Sequence, residues 1–221
     1  MDGVSHGFRP VLFSAFALML ATGASAEQKT ASKQSLPDCG PLVGQILRCP
    51  RVGFTYKVPF GWVDRTEEMQ QSGSSAASKA PKDADEASHE ETGRTLLAAF
   101  ERPPGTPGGF NSAVIIAVED SAAYPQVKTA ADYFGPLSEI AAQCGFKMAG
   151  DPYSFSIGTG QVVRGDFTGG DAKNPIRQTS LVLLKNGYIL SSTFLASSDD
   201  EIDSLMENLT FSSSTRKTSP K

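Results

Sequence analysis

Leu181-Val182-Leu183-Leu184-Lys185-Asn186-Gly187-Tyr188-Ile189-Leu190 decides the fold class of this chain. Two apolar runs flank Asn-Gly, and a type I′ turn needs two central residues that tolerate positive φ, which Asn followed by Gly supplies. The stretch predicts a β-hairpin, and with it antiparallel pairing. A further run, Ala113-Val114-Ile115-Ile116-Ala117-Val118, is apolar at consecutive rather than alternate positions. The sheet that holds it is therefore expected to be covered on both faces.

Strand signals continue outward from the hairpin. Residues 153–157 and 161–167 flank a Gly158-Thr159-Gly160 turn, and a polar loop through Pro175 leads into the strand over 178–185. Residues 95–100 precede the 113–118 run, separated from it by the breaker loop Pro103-Pro104-Gly105-Thr106-Pro107-Gly108-Gly109. Nearer the start, Phe54, Tyr56 and Val58 alternate with polar neighbours, Pro59-Phe60-Gly61 turns the chain, and Trp62, the only tryptophan, is placed to plug one end of the core.

Two helices are predicted. Thr129-Ala130-Ala131-Asp132 has the pattern of a capping box, followed by a stripe of Phe134, Leu137, Ile140, Ala141 and Cys144. Gly135-Pro136 within that stretch predicts a kink or a break, because proline lacks the donor and crowds the preceding turn. Ser198, with Glu201 three residues on, starts the last helix, whose stripe is Ile202, Leu205, Met206 and Leu209; Phe211 ends the fold. The element order is that of an α+β domain, a largely antiparallel sheet of about six strands with helices on both faces. It occupies residues 52–211. Within it, residues 70–93 hold nothing apolar larger than alanine and read as a flexible, solvated insertion; the polar residues 212–221 read as a disordered tail.

The first 26 residues read as a signal peptide: Arg9, an uncharged run over residues 11–21, then Ala24 and Ala26 as the small-x-small pair before cleavage. The apolar run is about half the ~20 residues that a bilayer core requires, and no later segment qualifies as a membrane span. A secreted or periplasmic protein cut near Ala26 is the expectation. In an oxidising compartment Cys39 and Cys49 are best read as a disulfide stapling an N-terminal arm over residues 27–51. Cys144 is left as a small hydrophobe on its helix stripe.

The 221 residues carry 24 acidic and 20 basic side chains, a formal charge of −4, which argues against a nucleic-acid partner. Of the two histidines, His6 belongs to the signal peptide and His89 to the insertion, so a nucleophile paired with imidazole has no base in the core. One remaining histidine and cysteines at 39, 49 and 144 give no zinc spacing, and no cofactor motif is present: Gly158-x-Gly160 lacks the third glycine and the helix of a phosphate cradle. Ser214 and Lys217 form a dyad only in the tail. Glu67-Glu68, Glu90-Glu91, Glu119-Asp120 and Asp199-Asp200-Glu201 are adjacent acids, which seldom converge on one substrate and usually make solvated faces. Glu119-Asp120 also lacks the pattern of a calcium loop. Arg164-Gly165-Asp166 spells an adhesion tripeptide inside a predicted strand, and Asn208-Leu209-Thr210 a glycosylation sequon at a helix end. The candidate binding surface is Trp62, Arg65 and Glu67 with Tyr124 and the 103–109 loop, where aromatic and proline residues near one sheet end could line a shallow groove; the competing reading is that Trp62 is simply core.

The segment Val58-Pro59-Phe60-Gly61-Trp62 after an aromatic strand, and the close of the chain from Gly187-Tyr188-Ile189-Leu190 to Asn208-Leu209-Thr210-Phe211, resemble the PsbP-like α/β/α sandwich superfamily. That superfamily includes the photosystem accessory protein, the Mog-type Ran-binding family and bacterial envelope proteins. The stretches Gly61-Trp62-Val63-Asp64-Arg65-Thr66-Glu67-Glu68-Met69 and Asp132-Tyr133-Phe134-Gly135-Pro136-Leu137 are similar to an uncharacterised group of secreted bacterial proteins. The resemblance implies a fold, not an activity. The long insertion and the cysteine pair depart from the plant accessory protein, and export argues against a Ran partner. The expectation is a non-catalytic binding or accessory module of the bacterial cell envelope, not an enzyme, contacting an envelope protein or a small ligand. The alternatives are a carboxylate-dependent hydrolase, and a structural envelope component whose 70–93 segment orders on a partner.

Overall fold

Asn186 and Gly187 have φ of 53° and 80°, so the hairpin closes as its turn chemistry requires. A computed structural model describes residues 35–77, 92–171 and 173–212. The expected signal peptide, residues 78–91 of the insertion and the tail beyond 212 lie outside the described residues. Strands β9 (Pro175–Lys185) and β10 (Tyr188–Ala196) pair antiparallel from Lys185↔Tyr188 to Arg177↔Ala196. The other edge of β10 takes β5 (Ala113–Asp120), then β4 (Gly93–Phe100) and β3 (Val63–Asp64). The other edge of β9 takes β8 (Gly160–Gly170), whose far side is shared by β6 (Lys147–Met148) and β7 (Tyr153–Ile157). A second antiparallel sheet is built from β1 (Ile46–Cys49), β2 (Phe54–Lys57) and β11 (Leu209–Phe211) in that order.

Alternation along β10 sorts the core into two. Leu190, Phe194 and Ala196 point to one side, where Phe54, Tyr56, Leu205 and Leu209 pack on them. Ile189 and Leu195 point to the other, against Phe134, Phe146 and Phe167. Helix α2 (Phe134–Gln143) covers the second face; helix α3 (Asp199–Met206) and the small sheet cover the first. The result is the expected α+β sandwich with an antiparallel sheet clad on both sides, larger than six strands because short segments join its edges.

Strand β8 keys both layers onto the sheet through three glycines. A Cβ on Gly160 would stand 2.5 Å from the Phe211 ring; one on Gly165 would stand 2.7 Å from Cδ1 of Phe134 and closer still to Cε1; one on Gly169 would stand 2.8 Å from the Phe146 ring. Glycine inside a strand ordinarily weakens it, but here each missing side chain is replaced by an aromatic ring from another element. Because 160 and 165 differ by an odd number, Phe211 and Phe134 lie on opposite faces.

Several local expectations are corrected. Residues 70–77 of the presumed loose insertion belong to helix α1 (Thr66–Ala77), tied to β4 by Gln70 Nε2 donating to Thr95 O at 2.6 Å. The capping box forms, with Asp132 Oδ2 accepting from the N–H of Thr129 at 2.7 Å and of Lys128 at 2.9 Å, but it closes a turn and the helix starts at Phe134. Pro136 is thus the third helical residue, where an N–H would have no intrahelical acceptor, and it needs no kink. Ile140 is 57% exposed and Cys144, just past the helix, is exposed too, so neither belongs to the buried stripe. Leu209 is buried in β11 rather than on α3, and β11, paired with Phe54 and Tyr56, had no local signal. Residues 46–49, in the presumed arm, form β1, with Leu47 and Cys49 buried and Cys39 bonded to Cys49.

Candidate functional site

Among the described residues a cleft of about 770 Å³ lies where β7, α3 and β11 come together. Phe155 and Ile157 reach it from β7, Met206 from the last turn of α3, and Phe211 from β11. These are the side chains that β-strand alternation and the helix stripe turn toward the first core; Met206 is buried, and Phe155, Ile157 and Phe211 are only partly covered. The walls are mostly apolar, with Arg164, Asp203 and Glu207 as the charged groups.

Arg164 is held in one pose. Its guanidinium lies over the Phe155 ring at 5.2 Å, its Nε donates to Asp166 Oδ1 at 2.9 Å, and Asp203 Oδ1 stands 3.8 Å from Nη1. Asp166 is fixed in turn by the hydroxyls of Thr179 at 2.6 Å and Tyr153 at 3.0 Å. Burial, and then the hydrogen bond to Asp166, push the Tyr153 hydroxyl above its ordinary value, so it stays a donor. The Arg-Gly-Asp tripeptide is thereby split between two faces: Arg164 and Asp166 serve the cleft, while Gly165 lies under Phe134. It is part of a sheet, not an adhesion loop.

The residues singled out from the sequence lie elsewhere. Arg65, between β3 and α1, forks onto Glu68, with Nε to Oε2 at 2.8 Å, and lies 4.9 Å over the Phe100 ring. The same hydrogen bond holds the Glu68 carboxyl below the usual carboxylate range. Glu67 is exposed beside this pair and Trp62 is half-buried against the first core. Tyr124 packs against the second core, on the opposite side of the sheet, edge-on to Tyr133 at 5.5 Å. Tyr133 donates to Glu119 Oε1 at 2.8 Å, and burial, then the nearby Glu119 carboxylate, push Tyr124 up to about 12. Arg65 and Glu67 therefore share one surface hollow, Trp62 turns to the first core, and Tyr124 is not brought to them. The 103–109 loop is tied down through Arg102 Nη2, which donates to Gly109 O at 3.0 Å.

Phe155, Arg164, Asp203 and Phe211 escaped sequence reading because they come from four elements, β7, β8, α3 and β11, whose meeting is largely tertiary. The available signal was period-two: Tyr153, Phe155 and Ile157 form an aromatic and aliphatic stripe on a strand whose remaining residues are serine. Among the described residues no three His, Cys, Asp or Glu side chains converge as metal ligands, and no helix is long and apolar enough to cross a membrane.

No protein-family model and no curated protein matches the chain. Solved structures do. PsbP (CyanoP) from Synechocystis is 14% identical over 80% of this chain and 98% of its own, with a TM-score of 0.43. LpqN, involved in cell envelope biogenesis of Mycobacterium tuberculosis, is 18% identical over 72% of this chain and 83% of its own, with a TM-score of 0.35. PA94, a protein of unknown function from Pseudomonas aeruginosa, is 14% identical over 55% of this chain and 84% of its own, also at 0.35. These are likenesses of outline; the site is read from its own residues.

Proposed function

We propose that this protein is a non-catalytic binding module of the bacterial cell envelope, and that its ligand occupies the cleft between β7, α3 and β11. The observation that carries the reading is the lining itself: a concave, mostly apolar surface with one guanidinium locked in place at its edge, which suits recognition. Asp203 and Glu207, its acidic groups, are both exposed, one on α3 and the other at the C-terminal cap of that helix. The disulfide between Cys39 and Cys49 supports an extracytoplasmic setting, as does the export-like sequence of the first 26 residues.

Fluorescence titration with anilinonaphthalene sulfonate tests the cleft. Saturable binding at one site per chain, lost in Phe155→Ser while the urea midpoint is retained, is the expected result. The absence of saturable binding would remove the proposal. A hydrolytic turnover abolished by Asp203→Asn would replace it with the carboxylate-dependent alternative. Fusion of the first 40 residues to a reporter that is active only outside the cytoplasm tests the location.

A further inference from the structure

Strand β7 is hydrogen-bonded to β8 on one side and, among the described residues, to no strand on the other. Ile157 pairs with Gly160 across a two-residue turn, so Ile157, Phe155 and Tyr153 turn their N–H and C=O groups toward β8, and those of Ser154 and Ser156 turn away from it. Strand β11 is likewise paired only with β2. Lys57 N donates to Asn208 O at 3.1 Å and Ser212 N to Gly53 O at 2.9 Å, so the backbone groups of Leu209 and Phe211 point the other way. Phe211 O confirms that direction by accepting from Thr159 Oγ1, at the tip of the β7–β8 turn, at 3.3 Å. Two unpaired strand edges thus border one cleft, meeting where Thr159 holds Phe211.

Exposed edges are normally blunted with a charge, a lysine above all, or with proline; Tyr153-Ser154-Phe155-Ser156-Ile157 carries neither. What such an edge recognises is backbone, and what the apolar wall beneath it takes is every second side chain of an extended chain. Charge narrows the class further. Arg164 lies between Asp166 and Asp203, and with Glu207 the group holds more acids than bases, which makes the mouth of the cleft negative. The chain's own residues 213–221 supply Arg216, Lys217 and Lys221 but no apolar side chain larger than Pro220 to lie on Phe155 and Phe211.

We propose that a partner protein adds an extended segment, apolar residues alternating with Lys or Arg, as a strand along β7 in this cleft. The inference rests on the reading of the cleft as a binding site and adds the class of ligand. Selection of a displayed library of random ten-residue peptides on the purified protein is expected to recover sequences that alternate apolar and basic residues. The best of them, made synthetically, loses at least tenfold in affinity when every second backbone amide is N-methylated in one of the two frames. It loses a similar factor against Ser156→Pro, which removes an outward N–H and leaves the ladder to β8 intact, the fold being checked by its urea midpoint. The charge-reversed variant Asp203→Lys with Glu207→Lys disfavours the basic peptide and admits its glutamate twin.

Recovery of no binder, recovery of acidic sequences, or full affinity in both N-methylated frames and in Ser156→Pro each overturns the proposal. So does binding that appears only after deletion of residues 213–221, which would make the tail the occupant. A dimer that Ser156→Pro dissociates would overturn it in favour of a second copy. If the fluorescent probe still binds through Phe155 in those cases, the cleft remains a ligand site and only strand addition fails; if the probe fails as well, both readings fall.

Discussion

Gly165→Ala should destabilise the protein through a single contact. The added Cβ would stand 2.7 Å from Cδ1 of Phe134 and 3.1 Å from Cζ, with Cε1 nearer than either, and Phe134 is only 2% exposed, held between β8 and the rest of the second core. A buried ring on the first turn of α2 cannot swing into solvent, so the methyl has to be accommodated by moving the helix or by leaving the rotamer, a cost of about 2 kcal/mol for overpacking of this kind. For a domain of this size that is a fall in Tm of about 4–8 °C. Urea unfolding followed by tryptophan fluorescence and circular dichroism gives the free energy. The decisive form is a cycle: Phe134→Ala alone removes a buried ring and should cost about 3–4 kcal/mol, but in that background Gly165→Ala should cost within about 0.5 kcal/mol of nothing, because the atoms it struck are gone. If Gly165→Ala is neutral in the native background, or costs the same in both, the ring does not sit where the strand has no side chain, and the account of how α2 is keyed to the sheet is wrong.

Replacing Cys39 and Cys49 by serine opens a loop of ten-residue separation and should cost about 3 kcal/mol by loop-closure entropy, read as a shift of the urea midpoint. Cys144 is exposed, so a thiol reagent should modify one cysteine in the native protein and three after unfolding and reduction; two or three in the native state would contradict the pairing, and none the exposure of Cys144. Ser198 Oγ accepts from Glu201 N at 3.2 Å as the cap of α3, and Ser198→Ala should cost about 1 kcal/mol. The Asp132 carboxyl is held below its ordinary value by backbone N–H groups of Thr129 and Lys128. Its contribution is therefore present above the unfolded carboxylate range and lost as pH falls through the folded value. Asp132→Asn should destabilise at pH 7 and converge with the parent protein in strong acid, whereas a pH-independent difference would assign the effect to something other than ionisation.

Much of what the chain announces locally, it keeps. The Asn186-Gly187 hairpin, the strands on either side of the 103–109 loop, and the Ser198 cap with Ile202, Leu205 and Met206 behind it all form, because each depends on turn chemistry or a repeat readable within about a dozen residues. Continuous apolarity in β5 likewise announced a sheet covered on both faces. Cys144 and Ile140 show the limit of that logic: periodicity says which residues share a stripe, not how far the partner layer extends over it.

The cleft belongs to the other category. Its walls come from residues 155–164 and 203–211, brought side by side because Phe211 lies on Gly160 and Thr159 bonds to its carbonyl. A three-residue strand without flanking turn signals, pairing with Phe54 and Tyr56 some 150 positions earlier, leaves no trace in local pattern. Sequence alone determined the kind of sheet, its cladding and the cysteine staple, since those follow from nearest-neighbour conformational preference and periodic burial. Only the tertiary structure decided where, among the described residues, two strand edges are left unpaired and what lines the space between them, since that depends on which elements stop short of covering which.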